Sequence, residues 1–224
     1  MGTTSTLRTV SYALATNLVI AALKATAGAL TGSAAMLAES AHSVVDSSTE
    51  LILLGGEWHS RRWSKARHFW ALVAAVDMFA VGGVYAVWQG LDAMLSPAAA
   101  DGLLWVGLVV LAVSAALEAG SWLRALRTLA ATRNGTPWLR HIATTTNSSA
   151  KAVLYEDSAD LAGVALAAAG IGMRLLTGSA VWDGLASVLI GLLLAAMSYE
   201  LGASNLRLLA SVDQTMPADA LPAA

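Results

Sequence analysis

Long blocks of apolar residues are the feature of this chain that most restricts its fold. Six such blocks follow one another along the 224 residues. An α-helix needs about 20 consecutive apolar residues to cross the hydrocarbon core of a bilayer. Charged residues make up only 12% of the chain, about half of the usual share in soluble domains. The sequence therefore predicts an all-α, polytopic membrane protein. The predicted spans are Val10–Leu30, Ser33–Gly56, Phe69–Leu91, Leu103–Leu126, Ala150–Leu176 and Val181–Leu201.

The distribution of lysine and arginine predicts the orientation of these spans. Basic residues cluster in the connections after spans two and four, and one more lies beside each terminus. The connections on the other side carry almost none. Positively charged loops stay in the cytoplasm, and an even number of spans places both termini on one side. We therefore predict six transmembrane helices with cytoplasmic termini. The basic residues on that side are Arg8, Arg61, Arg62, Lys65, Arg67, Arg127, Arg133, Arg140 and Arg207.

Charge and cysteine content exclude several classes of function. The formal net charge is −2, whereas nucleic-acid binding needs a concentrated basic surface, so no nucleic acid is expected as a partner. The chain has no cysteine, which excludes disulfides, thiolate metal sites and cysteine nucleophiles. The polar N-terminus does not resemble a cleaved signal peptide. We expect residues 1–205 to form the transmembrane domain and residues 206–224 to form a short cytoplasmic tail.

Two clusters of ionisable residues interrupt the apolar blocks, and charges inside a membrane are costly enough to suggest function. Span two contains a His–Asp pair and span five a Glu–Asp pair, each four residues apart. Residues at this separation lie on one helix face, so each pair can present two donor atoms to one point. Two facing helices then supply four ligands, the number that Zn2+ favours. The alternative is that these groups pair with one another and hold the helices together. The predicted ligands are His42, Asp46, Glu156 and Asp160.

Other polar residues inside the predicted spans carry weaker signals. Asn17 could orient a ligand, line a pathway or hydrogen-bond between helices. Lys24 could pair with Glu39, or it could extend its ammonium group to the membrane surface. Asp77 could relay protons or make a local structural bond. Asp183 opens span six and is interpreted as a helix-start charge that the helix dipole favours.

Four stretches of the sequence carry motifs of a known family. They run from Asn17 to Lys24, from Thr31 to Asp46, from Val153 to Gly163 and from Asp183 to Gly191. The second contains Ala-Glu-Ser-Ala-His-Ser-Val-Val-Asp, and the third contains Leu-Tyr-Glu-Asp-Ser-Ala-Asp. In order, the four stretches resemble spans one, two, five and six of the cation diffusion facilitators, a family of zinc-transporter-like proteins. The resemblance covers nearly the whole chain.

The resemblance implies a site, a coupling mechanism and an assembly. It implies that the four predicted ligands form the transport site, and that Glu39 and Asp157 are neighbours of the site. It also implies a dimer that exchanges Zn2+ or a similar cation for protons, with the metal as cargo and no resident cofactor. Many members have histidine where this chain has Glu156, and the family's usual cytoplasmic domain has no counterpart here.

The leading interpretation is a proton-coupled efflux carrier for a divalent metal ion rather than an enzyme. Zn2+ is the first expectation, although one imidazole with three carboxylates also suits Mn2+, Fe2+ or Co2+. One alternative is an intramembrane metal-dependent hydrolase, but the sequence lacks a His-Glu-x-x-His motif. A second alternative is a structural partner that keeps the metal site without transporting. We expect a homodimer in the lipid bilayer of a bacterial inner membrane.

The predicted orientation can be tested with single cysteines, because the chain has none of its own. Cysteines placed at Ser64 and Ser96 should react with a membrane-impermeant maleimide from opposite faces of the membrane. Ser64 should react from the cytoplasmic face, since it lies among the basic residues after span two. Reaction of both cysteines from the same face would contradict the six-span topology.

Overall fold

Helices form almost all of the described chain. A computed structural model describes residues 3–60, 66–96, 103–133, 135–145 and 148–214. The predicted basic loop around Ser64 and the end of the predicted tail, residues 215–224, lie outside these ranges. The described residues contain no strand, so the all-α prediction is confirmed. The helices are α1 (Thr3–Thr31), α2 (Ala34–Ser60), α3 (Ala66–Asp77), α4 (Tyr85–Leu95), α5 (Leu104–Ala131), α6 (Trp138–Thr144), α7 (Ser148–Thr177) and α8 (Val181–Gln214).

The third predicted span contains a change of helix type. A π-helical segment, Met78–Val84, joins α3 to α4 without a break. Such segments interrupt α-helices rarely, and this one contains the Gly82-Gly83 pair. Together α3, the π-helical segment and α4 form one continuous unit, so the chain has a long helical unit for each of the six predicted spans.

Within the described residues, four helical stretches are long and apolar enough to cross a membrane: His68–Leu95, Leu104–Ala131, Val153–Thr177 and Val181–Ala210. A fifth stretch, Asn17–Thr31, is apolar but shorter. α2 is long, but it carries Glu39, Asp46 and Glu50 within its central turns. The chain is thus an all-α, multi-pass membrane protein, and the count of six spans stays a prediction.

The predicted turns between neighbouring spans lie where the sequence places them. Gly32 and Gly178 have φ angles of 60° and 72°, the left-handed conformation that glycine adopts at low cost.

The last helix, α8, is longer than predicted. It continues thirteen residues beyond the predicted limit at Leu201, to Gln214, since no glycine or proline stops it after Gly202. Residues 205 and 206, the predicted boundary of the transmembrane domain, lie inside this helix.

Small residues allow α4 and α8 to pack backbone to backbone. A Cβ added at Gly191 would lie 2.7 Å from the carbonyl oxygen of Gly83, and one added at Gly184 would lie 2.8 Å from Met94 Cγ. Gly90 faces Gly184 in the same contact. In a bilayer, where helices gain little from hiding apolar surface, such close approach is a main source of attraction. α8 also contacts α2, α3 and α7, so it holds the bundle together.

A buried ion pair fixes the end of the bundle where α2 begins. The guanidinium of Arg174 on α7 donates to Asp183 Oδ2 on α8 at 3.0 Å. Asp183 also accepts hydrogen bonds from Ser33 Oγ (2.7 Å) and from the backbone amides of Ala34 (2.9 Å) and Ala35 (3.3 Å). These amides are unpaired within α2 because they lie in its first turn. Asp183 does lie in the first turn of α8, as predicted. Its hydrogen bonds, however, cap the start of α2, a role that the sequence did not predict.

The packing of α4 against α8 predicts the effect of adding one methyl group. Gly184→Ala should lower the free energy of unfolding by about 1–3 kcal/mol, because the new Cβ would press against Gly90 and Met94. Gly172→Ala is the matched control, since a Cβ there meets nothing within 4 Å. The control should be neutral or stabilising, because alanine favours helix more than glycine. Thermal unfolding in detergent measures both variants, and equal melting temperatures would contradict the close contact.

Candidate metal site

The structure brings three of the four predicted ligands together between α2 and α7. His42 Nε2 lies 3.0 Å from Asp160 Oδ1 and 3.7 Å from Asp46 Oδ2. One donor atom from each of the three residues lies within 4.8 Å of the other two. His42 is almost fully buried, whereas the Asp46 and Asp160 side chains retain 15% and 16% exposure. An imidazole nitrogen and two carboxylates thus converge on one point, with the carboxylates on the more open side.

The sequence produces this convergence by helical spacing and by one glycine. His42 and Asp46 lie one turn apart on α2, and α2 packs against α7. The contact is close because Gly163 on α7 has no side chain: a Cβ there would overlap Glu39 Oε1 and would lie 3.4 Å from His42 Nδ1. Gly163 therefore lets α7 bring Asp160 to the imidazole.

The donor atoms of this group are close together but do not hydrogen-bond to one another, an arrangement that favours a bound cation. Within the described chain, His42 Nε2 and Asp160 Oδ1 are buried and have no hydrogen-bond partner. They are 3.0 Å apart, yet they lack the alignment of a hydrogen bond. Buried polar atoms normally find a partner, so these two atoms fit a ligand that approaches both. Nitrogen and carboxylate oxygen are both ligands of Zn2+.

The fourth predicted ligand, Glu156, lies outside the three-residue group but on the same cavity. This cavity has a volume of about 620 Å³ and is lined by residues of α1, α2, α5 and α7. Its lining extends from Asp46 and Asp160 toward the end of the bundle where α7 begins and α5 ends, the end that the sequence predicts to be cytoplasmic. The carboxylates that line it are Asp46, Glu50, Glu118, Glu156, Asp157 and Asp160.

Lys24 is buried beside the site, among Glu39, Ser43 and Glu118. Its ammonium nitrogen lies 3.0 Å from Glu39 Oε2, 3.2 Å from Glu118 Oε1 and 3.0 Å from Ser43 Oγ. The Lys24 side chain is only 1% exposed, so the structure contains the predicted pair with Glu39 and not an ammonium group at the membrane surface. Glu118 on α5 was not among the predicted site residues, although it is a carboxylate inside an apolar block, the same signal that singled out Asp77.

The remaining candidates divide between the cavity and the helix contacts. Asn17 and Asp157 line the cavity, as a pathway residue would. Asp77 accepts a hydrogen bond from Ser48 Oγ on α2 and is not among the residues that line this cavity. Of the two predicted roles of Asp77, the local structural bond is therefore the one that the structure contains.

Known proteins that resemble this chain are transporters. A mitochondrial proton-coupled zinc antiporter, SLC30A9, is 30% identical in Mus musculus over 179 residues, which are 75% of this chain and 31% of that protein. The Homo sapiens protein of the same name is 29% identical over the same shares. Metal tolerance protein C4 of Arabidopsis thaliana is 29% identical over 202 residues, 85% of this chain and 44% of that protein.

The chain spans less than half of the length of these relatives. They come from animals and a plant and give no support to the predicted bacterial inner membrane, which stays a prediction. A family model describes the cation efflux transmembrane domain, and it matches residues 10–210. This match covers most of the chain, including all of the residues of the candidate site. The chain therefore belongs to the cation efflux family.

Proposed function

We propose that this chain carries a divalent metal cation, first of all Zn2+, across the membrane in exchange for protons. The observation that carries the proposal is the convergence of His42, Asp46 and Asp160 from two helices at the inner end of a cavity. A site reached through a cavity from one end of a helix bundle is what alternating access requires. The mouse relative is named a proton-coupled zinc antiporter, which supports both the cargo and the coupling.

We propose Glu156 as the fourth ligand. It lies one turn before Asp160 on α7 and lines the same cavity as Asp46 and Asp160. Residues four apart share a helix face, so the Glu156 carboxylate lies on the face of α7 that carries Asp160. Four donors complete the tetrahedral coordination that Zn2+ prefers. The same donor set, with three carboxylates, is also acceptable to Mn2+, Fe2+ or Co2+.

Proton exchange follows from the chemistry of these donors. A carboxylate or imidazole binds either a proton or a metal ion at a given lone pair, so protons and metal compete for the site. Protons that enter from the far side would release the metal there, and loss of those protons on the cytoplasmic side would restore the site. The direction of transport is then efflux, and a homodimer is the assembly that the family resemblance supports.

A carrier explains the site better than the two alternatives. A metal hydrolase needs a metal with an open position for water and a nearby general base, and the related proteins are named as an antiporter and a tolerance protein. A structural partner without transport would need no large cavity beside its metal site. Two assays separate the three: metal flux in vesicles marks a carrier, turnover of a peptide or lipid marks an enzyme, and the absence of both would favour the structural partner.

The proposed function predicts the loss of transport when a ligand is removed. Asp46→Ala and Asp160→Ala should each reduce Zn2+ uptake into proteoliposomes to the level of empty vesicles, because three donors would no longer converge. An indicator of Zn2+ trapped inside the vesicles, with a pH gradient imposed, measures the rate. Asp92→Ala is the control, since Asp92 is exposed at the end of α4 and is absent from the cavity lining. Near-normal uptake by either site variant, inserted and folded, would contradict the site.

The proposed ligand role of Glu156 predicts a change in ion preference. Glu156→His should shift uptake toward Zn2+ and away from Mn2+, because Zn2+ binds imidazole well whereas Mn2+ prefers carboxylate and water. Competition between the two ions at one fixed pH measures the ratio in both proteins. An unchanged ratio with transport intact would mean that Glu156 does not bind the metal, and Asp157 would then be the better candidate.

A further inference from the structure

We propose that Glu39, anchored by Lys24, is a positioning residue that turns the imidazole of His42 so that Nε2 faces the metal. The inference rests on the proposed function, because it deals with the same site. It gives Lys24 of span one the role of an anchor, and it gives Glu39 the role of orienting the imidazole without binding the cation. Three contacts support it.

The first contact anchors the carboxylate of Glu39. Its Oε2 lies 3.0 Å from the ammonium nitrogen of Lys24, and Lys24 is held in turn by Ser43 Oγ at 3.0 Å. The Lys24 and Glu39 side chains are both only 1% exposed. An ion pair excluded from water is screened little, so Glu39 keeps its charge and its orientation.

The second contact is between the other oxygen of Glu39 and the back of the imidazole. Glu39 Oε1 is buried, has no hydrogen-bond partner within the described chain, and lies 3.7 Å from His42 Nδ1. The opposite ring nitrogen, Nε2, is the atom that faces Asp46 and Asp160. A carboxylate on the Nδ1 side favours the proton on Nδ1, which leaves the lone pair of Nε2 for a metal.

The third contact keeps the carboxylate and the ring together. Gly163 on α7 lies against both, because a Cβ at this position would overlap Glu39 Oε1 and lie 3.4 Å from His42 Nδ1. The backbone of α7 thus closes the space beside Glu39 Oε1 and His42 Nδ1. Glu39 has little room to turn away, and a movement of less than about 1 Å would bring its Oε1 to hydrogen-bond distance from Nδ1.

The chain offers a matched comparison for Glu39. Glu118 on α5 also pairs with Lys24, at 3.2 Å, but among the described residues it forms no ion pair or hydrogen bond with His42, Asp46 or Asp160. Glu39→Gln and Glu118→Gln remove the same charge from the same lysine. Only the first changes the group behind the imidazole, so the two variants separate orientation of His42 from the total charge near the site.

Equilibrium binding of Co2+ to the full chain in detergent tests the inference. Co2+ accepts the same donors as Zn2+, and its visible absorption reports on the number and type of its ligands. Glu39→Gln should raise the Kd for Co2+ by about 10–100-fold, as loss of a group that supports a ligating histidine does elsewhere. Its spectrum at saturation should move toward that of His42→Ala. Glu118→Gln should raise the Kd by a clearly smaller factor, because its carboxylate does not face the imidazole.

The double variant Lys24→Met with Glu39→Gln tests whether Glu39 acts only by neutralising Lys24. It removes both charges of the Lys24–Glu39 pair, and the carboxylate that loses its partner, Glu118, is 14% exposed and lines the cavity, where water can reach it. We expect its Kd to stay as weak as that of Glu39→Gln, because the carboxylate behind His42 is still absent. Recovery of the wild-type Kd would overturn the inference, since Glu39 would then serve only to neutralise Lys24.

Two further results would also overturn it. One is a weaker Kd for Glu39→Gln without the spectral change toward His42→Ala, which would mean that charge alone acts at a distance. The other is a loss in Glu118→Gln as large as that in Glu39→Gln. Failure of the proposed function would look different: the wild-type chain would bind Co2+ without transport, or His42→Ala would leave the Kd unchanged.

Discussion

The contact between Lys24 Nζ and Glu39 Oε2 is the interaction on which the candidate site depends most directly. Both groups are enclosed by helices, where an unpaired charge would be strongly destabilising. The pair joins α1 to α2, and the second carboxylate partner, Glu118, adds α5 to the same cluster. Lys24 offsets one of the two negative charges of Glu39 and Glu118, whereas Asp46, Asp160 and Glu156 line the cavity without a lysine or arginine partner among the described residues. The bundle therefore leaves an excess of negative charge at the cavity, which a cation can neutralise.

The features that the sequence predicts well are those that depend on short-range periodicity. Apolar blocks predict the long helices, and the glycines of the Thr31-Gly32 and Thr177-Gly178 turns predict where two of them end. The spacing of four residues between His42 and Asp46 predicts their common helix face. The family resemblance then identifies Asp160 as the residue that meets them. In each case the information lies within about one or two helical turns of the residue concerned.

The features that it does not predict depend on contacts between residues far apart in the chain. Glu118 is 94 residues from Lys24, and Asp183 is 150 residues from Ser33, so no local pattern links these partners. Asp183 illustrates the problem, because its place in the first turn of α8 offered a sufficient local explanation. Only the packing of α8 beside the start of α2 shows that the same carboxylate caps a second helix and pairs with Arg174.

The ion pair of Arg174 and Asp183 has a mechanical consequence for the site. It anchors α2, α7 and α8 at one end of the bundle, and Asp160 lies fourteen residues before Arg174 on α7, about 21 Å away at 1.5 Å per residue. If α2 and α7 spread by about 10° around this anchored end, Asp160 would move by about 3–4 Å relative to α2, roughly twice a Zn–O bond length. A small angular change is thus enough to dismantle the coordination of a bound ion. The anchoring contacts themselves, which lie at the pivot, would hardly lengthen.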